Sequence, residues 1–294
     1  LEANAMGKKL PQHIKSVKAE GIRQVKLIDA TPIGINVRST VATYAGIHDE
    51  LRKIYAKTLD AKQYGYKAGD FSYNTGDLRC PTCDGTGQIS LDVQFLPDVD
   101  IVCPDCKGSR YKSRGLGDVY KRQRYKREAY KVFRTAKNGE KYSLPQLMSM
   151  SIEQVIEVTT DLKLVNQKLQ VLQQLGLGYL SLGEDTPGLS GGEAQRLKLA
   201  SEMGKGQSDT VFVFDEPTIG LHPQDVRVLL GVFQSLLSLG ATVIVIEHDL
   251  DVIRNAHYII DMGPGGGAAG GRIVAQGTPQ TVKNNANSIT GKYL

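Results

Sequence analysis

Two C-x-x-C pairs, Cys80-Pro81-Thr82-Cys83 and Cys103-Pro104-Asp105-Cys106, stand nineteen residues apart. Each pair presents two thiolates from one tight turn, and four thiolates at this spacing match the donor set of a tetrahedral zinc ion. Gly85 and Gly108 follow the pairs and let the backbone fold back around a metal. Residues 89–95 between the pairs alternate apolar and polar side chains, which predicts a β-hairpin pinned at its base by the metal. The bland alternative is four ordinary buried or redox-active thiols, but isolated core cysteines have no reason to fall into two C-x-x-C pairs.

A second set of residues suits phosphate chemistry. In Leu189-Ser190-Gly191-Gly192-Glu193, Ser190 can cap a helix and Glu193, three positions on, can complete a capping box. The two glycines let backbone N–H groups approach an anion at the helix start. Further along, the apolar run 211–214 ends in the carboxylates Asp215 and Glu216, and the run 241–246 ends in Glu247-His248-Asp249. Taken singly, these are a helix start, an acidic capping turn and a structural histidine. In this order they make a phosphate site.

Such groups need elements that deliver them. Residues 210–214 and 241–246 are short β-branched runs of the kind found in strands buried on both faces of a parallel sheet. Between them Val226, Leu229, Leu230, Phe233, Leu236 and Leu237 recur on one helical face, with Pro223 in the first turn and Gly240 as the stop. Strand, helix, strand makes an α/β unit with a right-handed crossover, whose functional groups lie at the carboxyl ends of its strands. Upstream, residues 25–28 read as a strand and 47–55 as a helix. Helical spacing resumes from Leu144, with Val165, Leu169, Leu172 and Leu175 on one face. The glycine-rich residues 263–271 lack a lysine and lead into Arg272-Ile273-Val274, which predicts a hairpin turn.

The 294 residues, 40% of them hydrophobic, suffice for one large domain plus a smaller module. A net charge of +5 makes the surface mildly basic and favours an anionic partner. No apolar run is long enough to cross a bilayer, residues 1–9 lack the core of a signal peptide, and paired cysteines imply metal in a reducing compartment; the expectation is a cytoplasmic protein with no membrane partner. The helical pattern already present at Leu1 places the expected true N-terminus upstream.

The succession Leu189 to Arg196, Val211 to Pro217 and Val245 to His248 resembles the signature, Walker B and switch-histidine segments of ABC-type ATPases. That resemblance implies ATP and Mg²⁺ as cofactors, with Mg²⁺ held through water by Asp215 and the attacking water oriented or deprotonated by Glu216. It implies that His248 contacts the γ-phosphate, and that Ser190, Gly191, Gly192 and Glu193 close over ATP held by a partner site. Gly220-Leu221-His222-Pro223 fits the loop that lines the interface of paired nucleotide domains. No G-x-x-x-x-G-K-[ST] motif occurs in the chain, so the expectation is a half-site that does not hydrolyse ATP alone.

With a four-cysteine module ahead of the signature, the chain is similar nearly end to end to the second nucleotide-binding domain of the UvrA family. Pro32-Ile33-Gly34, Arg38-Ser39, Ala42-Thr43-Tyr44, Phe95-Leu96-Pro97-Asp98-Val99 and the closing Thr290-Gly291-Lys292-Tyr293-Leu294 carry the likeness further. The implied fold is an ABC-type (P-loop NTPase-like) α/β domain with a mostly parallel sheet, an inserted four-cysteine zinc-binding β-hairpin and a helical signature subdomain. Its expected layout is 1–78 for the N-terminal part of the nucleotide domain, with the P-loop upstream, and 79–111 for the zinc module. A basic linker at 112–126, the signature subdomain at 127–188 and the ATPase core at 189–294 follow. The implied function is recognition of damaged duplex DNA in nucleotide excision repair, as a homodimer of the complete protein that hands the lesion to UvrB.

Two departures qualify the likeness. Ala30 stands where the family pattern has a glutamine that contacts Mg²⁺ and the attacking water, which leaves open a paralogue with a drug-resistance or other non-repair role, or a DNA-binding scaffold that does not hydrolyse ATP. Residues 113–123 form an insertion between two Arg-Tyr-Lys repeats and read as translated adapter sequence; the flanking Lys107, Arg110, Arg124, Lys126 and Arg127 are the candidate DNA contacts. A transporter motor would share every motif after Leu189 but has no use for Cys80 to Cys106. A chaperone zinc domain would share the C-P-T-C-D-G-T-G run of residues 80–87 but needs more copies of it.

Overall fold

The computed structural model describes residues 2–5, 7–12, 14–33, 38–91, 99–110, 129–203, 207–263, 265 and 270–294. The inserted stretch 113–123 and the basic residues Arg124, Lys126 and Arg127 lie outside the described residues.

The chain opens with α1 (Glu2–Ala5) and β1 (Gln24–Ile28), then runs through α2 (Val41–Tyr44), α3 (Ile47–Tyr55) and α4 (Leu59–Tyr64). The hairpins β2 (Gln88–Leu91) with β3 (Val99–Val102) and β4 (Phe133–Thr135) with β5 (Lys141–Ser143) follow. Next come α5 (Leu144–Ser149), α6 (Ile152–Val158), α7 (Lys163–Gln174) and α8 (Gly191–Glu202). The last part alternates β6 (Thr210–Asp215), α9 (Pro223–Ser238), β7 (Thr242–Ile246) and α10 (Leu250–Arg254), and ends in β8 (Ile259–Gly263), β9 (Arg272–Gly277) and α11 (Pro279–Lys283). Two compact units result: residues 1–31 with 204–294, and residues 32–203, the second inserted between β1 and β6 of the first.

The first unit is built on a parallel sheet in the order β1-β6-β7. Strand β6 is the buried centre, with Val211, Phe212 and Phe214 at 3% exposure or less. The α9 side of the sheet is packed: Phe233 of α9 lies 4.8 Å, centroid to centroid, from Phe214, and Phe212 stacks along the strand at 6.3 Å. Gly240, in the left-handed region at φ 85°, ends the helix turn where the sequence places the stop. The expectation that both strands are buried on both faces holds for β6 and fails for β7. Ile244 and Ile246 are 41% and 54% exposed, and Leu27, on the same face by register, is 60% exposed. A β-branched run encodes a pleated ribbon that fits an apolar layer; it does not say on which faces that layer is present. Strands β8 and β9 pair antiparallel around the glycine-rich residues, as a hairpin requires.

The second unit packs helices against one another and against the cysteine module. In α3, Ile47, His48, Leu51 and Tyr55 form the buried stripe that its spacing predicts, and the Tyr55 hydroxyl donates to the Tyr142 carbonyl at 2.8 Å. In α7, Val165, Leu169 and Leu172 face the core together with Leu175 just beyond it. Three- and four-residue spacing in the sequence thus becomes one packed face on each helix.

Candidate functional site

The four cysteines converge. All are buried, none is in a disulfide, and their sulfurs lie within 4.8 Å of one another. Cys83 and Cys106 are 3.6 Å apart and Cys80 and Cys103 4.0 Å apart. A tetrahedron with Zn–S bonds of about 2.3 Å has S···S edges of about 3.8 Å, so the cluster has the size and donor set for zinc.

Its local geometry repeats. Asp84, Gly85 and Gly87 in the first turn and Lys107, Gly108 and Arg110 in the second all have positive φ, at the same offsets from their cysteines. In each turn the backbone N–H four residues after the second cysteine faces that cysteine's sulfur: Gly87 donates to Cys83 at 3.3 Å, and Arg110 to Cys106. Glycine is required at position 85, where a Cβ would lie 1.7 Å from the Tyr73 carbonyl oxygen. Thr82 donates to Asp105 across the two turns. Burial pushes the Cys80 and Cys106 thiols up. At Cys83 burial acts the same way but is outweighed by hydrogen bonds led by the Gly87 amide, which hold that thiol below its ordinary value.

The signature residues also lie in the second unit. Ser190 is the N-cap of α8: its side chain accepts from the Glu193 amide, and Glu193 accepts from the Ser190 amide at 2.7 Å. Gly191 and Gly192 open the helix, which leaves free N–H groups at its positive end. Glu193 also accepts from the hydroxyl of Tyr179, a residue that no motif singled out. Burial, then the Glu193 hydrogen bond and charge, push Tyr179 up to about 12.

The carboxylates and the histidine lie in the first unit, at the carboxyl ends of adjacent parallel strands. Asp215 ends β6 beside Ile246, and the Glu216 amide donates to the Ile246 carbonyl at 2.9 Å. That bond holds Glu216 at φ 45°, a left-handed conformation that L-residues adopt at a cost. His248 Nδ1 lies 3.7 Å from Glu216 Oε1, and both side chains are open to solvent, 75% and 45% exposed.

Glu247 between them is the residue whose part the motif reading missed. Its side chain is 2% exposed. One oxygen accepts from the Thr218 amide at 2.8 Å and the Thr218 hydroxyl at 2.5 Å; the other accepts from the His248 and Asp249 amides at 2.8 and 3.0 Å. Burial works to raise its pKa, and these bonds outweigh burial and keep the carboxyl below its ordinary value. Glu247 therefore ties the loop after β6 to the loop that carries His248. The available signal was a carboxylate placed directly after a strand and before the histidine.

A parallel sheet whose adjacent strands end in Asp215-Glu216 and Glu247-His248, interrupted by a unit that bears a capped Ser-Gly-Gly-Glu helix and four clustered cysteines, defines an ABC-type ATPase fold with a four-cysteine insertion. No family model matches the chain. Over 286 residues it is 42% identical to UvrABC system protein A of Clostridium acetobutylicum, covering 97% of this chain and 28% of that protein. Over 276 residues it is 44% identical to UvrABC system protein A of Aquifex aeolicus, covering 94% and 28%. The crystal structure of UvrA2 from Deinococcus radiodurans matches with a TM-score of 0.82 at 39% identity, over 94% of this chain and 32% of that one. The chain belongs to the UvrA family and spans 28% of the length of these curated relatives.

Proposed function

We propose that this chain is the part of a UvrA-type damage-recognition ATPase that supplies a signature, a Walker B pair and a switch histidine to composite ATP sites, and that carries a zinc-held hairpin facing DNA. The observation that carries this reading is the meeting of Glu216 and His248 at the ends of β6 and β7, with Glu247 locking their two loops together. Asp215 is the group suited to hold Mg²⁺ through water, and bound Mg²⁺ would offset phosphate charge. Glu216, half exposed, is free to orient or deprotonate a water aimed at the γ-phosphorus, and the solvent-facing His248 imidazole can hydrogen-bond a γ-phosphate oxygen. The N-terminus of α8, capped by Ser190 and opened by two glycines, suits the phosphate of an ATP bound by another domain.

Cys80, Cys83, Cys103 and Cys106 fit zinc by donor type and spacing, and bound zinc would crosslink the base of the β2–β3 hairpin. Among the described residues no helix is long and apolar enough to cross a membrane. The partners proposed are damaged duplex DNA, a UvrB-like protein and a second copy of the complete protein; the compartment proposed is the cytoplasm.

The test is binding of the complete protein to a duplex with one bulky lesion and to the same undamaged duplex, with ATP and at fixed salt. Lesion preference that weakens when Glu216→Gln abolishes ATP turnover supports the reading. Equal binding to both duplexes would replace repair with the paralogue role that Ala30 favours, and unchanged ATP turnover in Glu216→Gln would leave a scaffold.

A further inference from the structure

Arg110 has its backbone in the metal module and its side chain, buried, against the segment that leads into the signature helix. Its amide faces Cys106 Sγ, and its carbonyl accepts from the Cys80 amide at 2.9 Å, so its main chain touches both cysteine turns. It holds a left-handed conformation at φ 68°, where the equivalent position of the first turn has Gly87. An arginine adopts that backbone at a cost, and here its side chain is held. The side chain is 4% exposed, its guanidinium pairs with Asp185, and its Cζ lies 5.2 Å over the Tyr73 ring.

Asp185 sits five positions before the helix cap Ser190. Its segment is laced to the residues that open α2: Thr40 bridges Asp185, the Val41 amide donates to Glu184 at 2.9 Å, and the Thr186 amide donates to Ser39 at 3.0 Å. The Tyr73 hydroxyl closes the circuit by bonding Thr40 Oγ1 at 2.8 Å. Gln88, at the foot of the hairpin, adds a bond to Asp185 at 3.4 Å.

We propose that Arg110 is a positioning residue through which occupancy of the four-thiolate site sets the order of the segment leading into the signature helix. With zinc bound, both cysteine turns are fixed, Arg110 is fixed with them, and Asp185 is held in the place from which the chain runs to Ser190. Without zinc the Arg110 backbone loses its two sulfur-turn anchors, and Asp185 loses its cation. Metal state is thereby transmitted to the phosphate-binding end of α8 by one buried ion pair. The functional consequence rests on the proposed ATP role of Ser190 and Glu193; the physical tie does not.

The test is amide hydrogen exchange of residues 184–191 in the protein with its natural flanking sequence, zinc-loaded and after chelation. Exchange reports local opening. In the unaltered protein, chelation raises exchange in this segment about tenfold or more, as expected when a buried ion pair is lost. Arg110→Gln, still carrying zinc, shows the raised exchange from the outset and no further response to chelation, and Arg110→Lys falls between. Asp185→Asn gives the same result approached from the other side, and stands in if Arg110→Gln fails to fold. Zinc-loaded variants that exchange like the unaltered protein, or a segment indifferent to chelation, overturn the proposal. An unchanged KM for ATP in Ser190→Ala would instead sink the phosphate reading and leave the tie intact.

Discussion

Replacing Glu247 by glutamine changes almost no volume and removes one charge, so its effect reports the charged hydrogen bonds rather than packing. The carboxylate accepts two bonds at each oxygen, from Thr218 on one side and from the His248 and Asp249 amides on the other. An amide has one oxygen. Turned toward the two backbone amides of His248 and Asp249, it puts its NH₂ against Thr218, whose hydroxyl can rotate to accept but whose backbone N–H cannot. One buried donor is left without an acceptor and the remaining bonds lose their charge, a cost of about 2–4 kcal/mol. In urea this lowers the unfolding midpoint of the first unit by about 1–3 M. The sign with pH follows from the lowered pKa. A carboxyl that ionises more readily when folded contributes its stability above the ordinary value of 4.5, and loses it as pH falls through the lower folded value. The Glu247→Gln penalty is therefore full near neutrality and shrinks in acid, where the unaltered protein must also carry a protonated side chain. A penalty under about 0.5 kcal/mol at neutral pH, or one that stays constant on acidification, would refute the reasoning.

Gly85→Ala forces a Cβ to within 1.7 Å of the Tyr73 carbonyl oxygen at φ 79°, and is expected to cost about 3 kcal/mol or more and to lower zinc content measured by metal analysis. Ser190→Ala removes the cap of α8; about 1 kcal/mol of stability should go, read by thermal unfolding. Arg134, whose side chain is 7% exposed, donates to the Val158 carbonyl at the end of α6 and pairs with Asp161; Arg134→Ala should cost about 2 kcal/mol by urea unfolding and expose α6 to faster amide exchange. Lys107 and Arg110 share a left-handed backbone in the second cysteine turn, but the Lys107 side chain is exposed. Lys107→Gly should therefore stabilise the zinc-loaded protein by about 1 kcal/mol while Arg110→Gly destabilises it, and the difference in their urea midpoints measures the Arg110 side chain.

Periodic and spaced features were legible in the sequence because their physics is local. The α7 face of Val165, Leu169 and Leu172 follows from helical geometry, α3 occupies the residues its spacing predicts, and two tight C-x-x-C turns bring four sulfurs together wherever the hairpin between them closes. What the sequence withheld depends on distant partners. The exposure of Ile244 and Ile246 is set by what lies over β7, and the residues of β7 read the same in either case. Glu247 was visible as a letter beside His248, but its role came from Thr218, twenty-nine positions away. Arg110 read as one more basic residue near a loop, a candidate for phosphate contact. Its burial against Asp185 and Tyr73 withdraws that reading for Arg110 itself.

Backbone conformation ties these sites together. Among the described residues, the non-glycine residues with positive φ are Asp84, Lys107, Arg110 and Glu216. Three are in the cysteine turns and the fourth follows the carboxylate at the end of β6. A left-handed L-residue costs about 1–2 kcal/mol, which surrounding bonds can offset. Those bonds are present: Arg38 and Arg79 both reach Asp84, at 2.8 and 2.7 Å, Arg110 has Asp185, and the Glu216 amide is bound to Ile246. Glycine would suit each backbone better and is used next door at Gly85 and Gly108. At Asp84, Arg110 and Glu216 the side chain is what glycine would forfeit: an anion between two arginines, a cation joining the metal turns to the signature segment, and a carboxylate facing His248. Among the described residues no such bond holds the Lys107 side chain, which is why substitution there separates the cost of the backbone from the value of what the backbone carries.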